Sequence, residues 1–208
     1  MNNLEYIKRE YDKISEYYEE HKNKKSFYDR NIIKFLKRYI NNKKSVIDIG
    51  CGTGIILRRL NPMYGVGIDI SDGMIKKANE YNKNKNLKFF VGNAEDLKIK
   101  EKFDFITIID IFPYIKDCEK VLIGVKELCK KDTKVIIFYF NPLFGSLVSF
   151  LERLRLKAPD PVNRDFRSKK DLIKWLKKTN YDIEYTGYTN YLLSIIVVAK
   201  PKLIFENR

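Results

Sequence analysis

The run VIDIGCGTG, residues 46–54, carries a short apolar strand straight into glycines at 50, 52 and 54, and the helical stretch IILRRL (55–60) follows at once. A strand that breaks into alternating glycines and then into a helix describes a tight turn whose backbone a ligand can approach closely. Seven of the ten glycines lie between Gly50 and Gly92, five of them within the 18 residues from Gly50 to Gly67. A plain structural turn seldom needs that density, so the loop reads as a cradle. Spacing then separates its possible occupants. A dinucleotide loop, G-x-G-x-x-G, wants a small residue at position 55, where this chain has Ile55. A triphosphate loop needs Gly-Lys-Ser/Thr, whereas Gly54 is followed by Ile55 and Ile56. What remains is D-x-G-x-G-x-G, beginning at Asp48, with Asp69 placed 19 residues after Gly50 at the end of the next strand. An ionised carboxylate only accepts hydrogen bonds, so Asp69 suits the two hydroxyls of a ribose, with helix capping as the alternative. Asp48, standing where phosphates would otherwise sit, favours a ligand bearing an ammonium or sulfonium charge.

Outward from the loop, strand and helix patterns alternate. YGVGIDI (64–70) precedes a helix that Ser71 can cap, LKFFVGN (87–93) and FDFITIID (103–110) read as strands, and a helix through DCEKVLIGVKELCKK (117–131) leads to the strand TKVIIFYF (133–140). That rhythm predicts an α/β protein, a mostly parallel sheet with helices on both faces. Ahead of it, Ile7, Tyr11, Ile14 and Tyr18, then Ile32 to Ile40, recur at helical spacing and predict two cap helices over residues 1–42. Beyond it, Leu143, Leu147, Phe150, Leu151 and Leu154 mark an amphipathic helix and APDPVNRD (158–165) a proline-interrupted loop; a helix from Ser168 follows, with Leu172, Ile173, Trp175 and Leu176 on its apolar side. The last two strand-like runs, within DIEYTGYTNYLLSIIVVAK (182–200), are too close for a crossover helix and predict an antiparallel hairpin. At about 150 residues per domain, 208 residues predict a single one: a cap (1–42), a ligand-binding core (43–140), an insertion (141–167), and a C-terminal helix and hairpin (168–208).

With 44% apolar and 33% charged residues the chain reads as an ordinary water-soluble globular protein. Its longest apolar runs, such as LLSIIVVA (192–199), fall far short of the ~20 residues of a spanning helix. The opening MNNLEYIKREYDK has charges where a signal peptide is apolar, so a cytoplasmic protein is expected. Cys51, Cys118 and Cys129 form an odd set without CxxC spacing or a histidine cluster, which predicts neither a disulfide framework nor a metal site. Lys and Arg outnumber Asp and Glu by 41 to 27, a net +14. That balance suits a polyanion partner or merely a solvated lysine surface.

Several segments in order resemble the class I S-adenosylmethionine-dependent methyltransferases, specifically the small-molecule branch. VIDIGCGTG is similar to that family's first motif, GIDISDGMIKKA (67–78) to its second strand and following helix, and GNAEDL (92–97) to its adenine-binding segment, with Asn93 where Asp is commoner. The region from Phe103 to Phe140 resembles the fourth strand, its helix and the fifth strand, although Lys131 and Asp132 replace the usual Pro-Gly turn. The resemblance implies a Rossmann-like seven-stranded sheet, S-adenosylmethionine as cofactor, and methyl transfer as the activity. It implies that the backbone around Gly50, Cys51 and Gly52 meets the methionine part, with Cys51 a small filler of the loop, and that Asp48 orients the ammonium and Asp69 the ribose. Ile70 and Met74 would flank the adenine, Asn93 and the Ala94 amide would read its edge, and Asp110 would stand near the methionine amino group and the methyl. For Met74 plain core packing is the alternative. Tyr18 and Tyr11 either lid the cofactor or pack in the core.

Methyl transfer is an in-line displacement at an activated carbon, so alignment and exclusion of water matter more than any obligatory catalytic group. His21, the one histidine, is a base candidate or a solvated helix-end residue. Tyr114, Tyr139 and Asn141, near the exits of the fourth and fifth strands, are candidates for the acceptor pocket. Relatives that methylate nucleic-acid bases carry Asn/Asp-Pro-Pro-Tyr/Phe after the fourth strand, where this chain has Asp110-Ile111-Phe112-Pro113-Tyr114. That near miss, without a basic RNA-binding module, disfavours nucleic acid and leaves a small molecule as the expected acceptor. An RNA-directed enzyme and a non-catalytic cofactor-binding module stand as the alternatives. The leucine-rich helix after Leu143 either covers an apolar acceptor or shields the sheet, or lies on a membrane surface, and Arg164 and Arg167 meet either an acidic group or water.

Overall fold

A computed structural model describes residues 3–23, 27–146, 153, 162, 165, 167–189 and 192–202, with the side chains of 20–23 and 27 excepted. Its centre is β1 (Ser45–Ile49), a strand buried at every residue, as expected of a parallel strand covered on both faces. The chain around it runs α1 (Asn3–Asn23), α2 (Phe27–Leu36), β1, α3 (Ile55–Leu60), β2 (Tyr64–Asp69), α4 (Asp72–Tyr81), β3 (Leu87–Val91), β4 (Phe103–Ile109), α5 (Cys118–Glu127), β5 (Cys129–Phe140), α6 (Lys169–Lys178), β6 (Tyr181–Thr189) and β7 (Ser194–Pro201). Among the described residues the strands form a seven-stranded sheet in the order β3-β2-β1-β4-β5-β7-β6. Pairings from β3 across to β5 are parallel, while β7 runs antiparallel to both β5 and β6. The order reverses beside β1, so a crevice opens between the ends of β1 and β4.

Period-two alternation sends side chains to two apolar layers. Ile47 and Ile49 lie in one layer with Val121, Leu122 and Val125 of α5 and Leu172 and Leu176 of α6. Val46 lies in the other with Ile32 and Leu36 of α2 and with Ile56 and Leu57 of α3. Local chemistry fixes the helix starts. Ser71 Oγ accepts from the Met74 N–H at 3.0 Å and caps α4. Ser168 and Asp171 form a reciprocal capping box on α6.

Three boundary expectations change. The fifth strand begins at Cys129 rather than Thr133, and α5 ends at Glu127 rather than running to Lys131. Leu128 and Cys129 are wholly buried, and Cys129 pairs with Phe103 before the register shifts to Phe105 opposite Lys134. Thr133 accepts from the Lys130 N–H and donates to the Phe103 carbonyl, so Lys131 and Asp132 become an irregularity inside a strand instead of a turn before it. In the cap, α2 stops at Leu36, and Tyr39 and Ile40 lie in the turns beyond it. The expected amphipathic helix through Leu147, Phe150, Leu151 and Leu154 falls outside the described residues, as does Arg164.

Candidate functional site

The glycine loop turns because its backbone adopts conformations that side chains resist. Gly50, Gly52 and Gly54 have φ of 78°, 53° and 76°. A Cβ on Gly50 would stand 2.1 Å from Ile111 Cγ2, so only glycine lets the loop pass the exit of β4. At Gly52 a Cβ would meet only Tyr18 Cε1, at 3.7 Å, which shows open space between loop and α1. The amides of Gly50 and Cys51 both donate to the Ile68 carbonyl, at 2.8 and 2.9 Å, tying the loop to β2.

That space belongs to a cavity of about 630 Å³, and most of the residues singled out from the sequence lie on its wall: Tyr18, Asp48, Gly50, Cys51, Gly52, Asp69, Ile70, Met74, Asn93, Ala94, Asp110 and Tyr114. Asp69 accepts from the Gly52 N–H at 2.9 Å through one oxygen and from the Ser71 N–H at 3.0 Å through the other. Burial pushes its carboxyl above the ordinary range against the pull of these backbone donors. Asp48, 1% exposed, accepts from the Thr107 hydroxyl at 2.6 Å. The Thr53 hydroxyl is buried with no hydrogen-bond partner among the described residues, although Thr53 lines the cavity. Asn93 turns its carbonyl oxygen to the Glu95 N–H at 2.9 Å, one of its two lone pairs being used inside its own loop. The Cys51 thiol is buried and held protonated, first by desolvation and then by the nearby Asp69 and Asp48.

Asp110, just past β4, has φ 58°, a left-handed conformation rare for a residue other than glycine. Its N–H donates to the Phe138 carbonyl at 2.8 Å, and its Oδ2 accepts from the Tyr28 hydroxyl at 2.6 Å. Tyr28, on α2, was not among the residues expected from the sequence. It also lines the cavity, and burial followed by the Asp110 charge pushes its phenol well above the ordinary value. No sequence spacing signals a contact between positions 28 and 110.

The cover is α1. Leu4, Ile7, Tyr11 and Tyr18, on one helical face, reach the cavity, and the Tyr11 ring stands edge-on to Tyr114 at 5.8 Å. Asp12 holds this helix down, accepting from the Ser71 hydroxyl at 2.6 Å and the Gly73 N–H at 2.9 Å, with ion pairs Lys8–Asp72 and Glu16–Lys77 beside it.

Two acceptor-pocket candidates are not on this wall. Tyr139 is buried in the layer beneath α5 and α6, because alternation turns it away from its neighbour Phe140, which does line the cavity. Asn141 instead pins the exit of β5: its side chain accepts from the Leu143 N–H and donates to the Leu192 carbonyl at 2.9 Å. The side chain of His21 lies outside the described residues. Arg167 pairs with Asp165 and covers the Trp175 ring. Among the described residues no cluster of His, Cys, Asp and Glu is arranged to hold a metal, and no helix is long and apolar enough to cross a membrane.

A family model for the methyltransferase domain matches residues 40–187. An uncharacterized protein of Methanocaldococcus jannaschii, MJ1252, is 30% identical over 214 residues, covering 88% of this chain and 79% of its own. The malonyl-[acyl-carrier protein] O-methyltransferase of Bacillus cereus is 21% identical, over 96% of this chain and 78% of its own. Among solved structures the DhpI–SAH complex superposes with a TM-score of 0.75 at 14% identity, over 95% of this chain and 96% of that one.

Proposed function

The chain belongs to the class I S-adenosylmethionine-dependent methyltransferases, and from that premise we propose that it methylates a small molecule whose body is apolar. The observation that carries this reading is the mixed lining of one cavity, in which the glycine loop, Asp48, Thr53, Asp69 and Asn93 share the wall with Ile7, Tyr11, Ile111, Tyr114, Phe140 and Leu193.

The polar part of the lining fits the cofactor. The orphaned Thr53 hydroxyl and the space beside Gly52 are features that a ligand would complete. Asp69, a pure acceptor with lone pairs to spare, suits the ribose hydroxyls, and Asp48 suits the ammonium. Ile70 and Met74 offer apolar surface to the adenine, while Asn93 and the Ala94 amide offer one edge of polar groups. Bound there, S-adenosylmethionine supplies a methyl already activated by the sulfonium. The protein's own work is then positional: the loop fixes one reactant, Ile111 and Tyr114 align the other, and α1 with Tyr11 and Tyr18 excludes water.

Calorimetry with S-adenosylmethionine and S-adenosylhomocysteine, followed by mass spectrometry of ligand that co-purifies, tests the reading. Binding of both, with transfer of labelled methyl to an extractable apolar compound, is expected. Tight binding without turnover across an acceptor panel would replace it with a cofactor-binding module.

A further inference from the structure

Four of the five parallel strands are entered through lysine: NNKK (41–44) precedes β1, NKNKN (82–86) precedes β3, KEK (100–102) precedes β4, and KKD (130–132) lies in the irregular start of β5. Strand β7 ends in KPK (200–202). Because β1 to β5 run parallel and β7 runs against them, all five segments fall on one edge of the sheet, opposite the edge that carries the cavity. They hold ten lysines against Glu101 and Asp132. The described loops at the cavity edge, GCGTG (50–54), GNAED (92–96), DIFPYIKD (110–117) and NPLF (141–144), hold one, Lys116, against Glu95, Asp96, Asp110 and Asp117. A lysine-rich composition by itself would load both edges. The charge is instead polarised, and a field of one sign gathered on one side selects its partner.

The basic edge is ordered by its own polar side chains. Asn41 accepts from the Lys43 N–H at 3.0 Å, Asn82 from the Asn84 N–H at 2.9 Å and Asn84 from the Asn86 N–H at 2.8 Å, so local turns hold the lysine segments in shape. Further bonds join neighbouring segments: the Met63 N–H donates to the Lys44 carbonyl at 3.0 Å, the Lys130 ammonium to the Ser45 hydroxyl at 3.1 Å, and the Asn84 amide to Asn61 at 2.7 Å. Lys130, Lys200 and Lys202 pair with Asp104, Asp132 and Asp182. The other seven lysines have no ion pair among the described residues, and all of them but the half-buried Lys44 are exposed.

We propose that this edge is a docking surface for single-stranded RNA, bound through its phosphates and lying away from the methyl-transfer cavity, so that the RNA is held without being the acceptor. The proposal is independent of what the cavity binds. The shape of the patch favours a strand: from β3 to β7 the edge crosses five interstrand steps, roughly 24 Å at about 4.8 Å each, which matches about seven nucleotides at ~3.4 Å. The backbone of a duplex curves away within half a turn, about 17 Å. A bilayer is disfavoured because Met63 is the one large apolar side chain exposed along this edge among the described residues, and stable anchoring needs apolar insertion beside the charge.

Fluorescence anisotropy of the full chain with a labelled oligouridylate is followed from 50 to 200 mM salt, beside an RNA duplex of equal length, with co-sedimentation on phosphatidylserine vesicles. Micromolar binding to the single strand at 50 mM salt is expected, with a log–log salt slope of about −5 for seven phosphate contacts and a loss of about a thousandfold by 200 mM. The combined variant Lys43→Gln, Lys44→Gln, Lys83→Gln and Lys85→Gln is expected to bring the slope to about −2 and to weaken binding at least tenfold. A second variant with the same loss of charge, Lys13→Gln, Lys116→Gln, Lys120→Gln and Lys170→Gln, is expected to leave the slope unchanged. Equal weakening by both variants would reduce the effect to net charge and overturn the proposal. So would an edge variant that melts earlier yet binds RNA as before, which would make these lysines mere balance for the helix C-termini. Tighter binding to the duplex or to the vesicles, or labelled methyl entering the oligouridylate, overturns it as well.

Discussion

At the residue scale, the cavity wall is built from groups whose requirements conflict with stability. Thr53 buries a hydroxyl that no partner among the described residues satisfies, at a cost of about 1–3 kcal/mol. Thr53→Val should therefore raise the melting temperature of the empty protein while weakening S-adenosylhomocysteine, two changes read by calorimetry with and without ligand. Asp69 works in the reverse sense, because its two oxygens brace Gly52 and Ser71 as well as facing the cavity. Asp69→Ala should cost about 1.5–3 kcal/mol of cofactor affinity, about tenfold or more. Gly52→Val should abolish binding too, because a β-branched residue resists the φ of 53° there and the loop that holds its N–H on Asp69 must shift. Unchanged affinity in either folded variant would remove that residue from the site. The glycines and Asp69 were legible because their chemistry is local: turn, strand end, acceptor. Tyr28 was not, because its importance comes from a partner 82 positions away.

At the element scale, α1 is held over the cavity by polar contacts to the start of α4 rather than by core packing alone. Asp12→Ala removes both acceptor bonds, to Ser71 and Gly73. Faster amide exchange along α1 and quicker release of S-adenosylhomocysteine are expected, with exchange in β1 and β4 unchanged. The sheet is stitched elsewhere. Asp104 accepts from the Ser45 N–H and hydroxyl at 2.8 Å and pairs with Lys130 at 3.0 Å, linking β1, β4 and β5. Partial burial pushes its carboxyl up, but these donors outweigh that and hold it below the ordinary value. Its contribution is present above the unfolded pKa of about 4 and fades as pH falls through the lowered folded value. An acid melt should accordingly be shallower for Asp104→Asn than for wild type, and equal slopes would show that the trio adds nothing. Alternation of strands and helices announced the layers, but the ends of α5 and β5 escaped it, since burial of Leu128 and Cys129 outweighed the turn-like Lys131-Asp132.

At the scale of the whole molecule, the net charge of +14 and the acidic cavity wall point to different partners. If the surface charge served nucleic acid, binding to an RNA would fall about a thousandfold between 50 and 200 mM salt for six phosphate contacts. Weak, salt-labile association without label entering purified RNA is the expected result. Label found in RNA would overturn the small-molecule reading.

The sequence by itself determined the glycine loop, the parallel core around β1, the antiparallel hairpin and the positions of Asp48 and Asp69, because strand periodicity, turn conformation and hydrogen-bond chemistry act over a few residues. Only the tertiary structure decided which of Tyr114, Tyr139 and Asn141 reaches the cavity, and that a tyrosine from the cap meets Asp110. Whether a side chain near a sheet edge faces a ligand or a helix layer depends on pleat phase and on what packs above it. Those are properties of strands and helices brought together from far apart in the chain, and no local pattern encodes them.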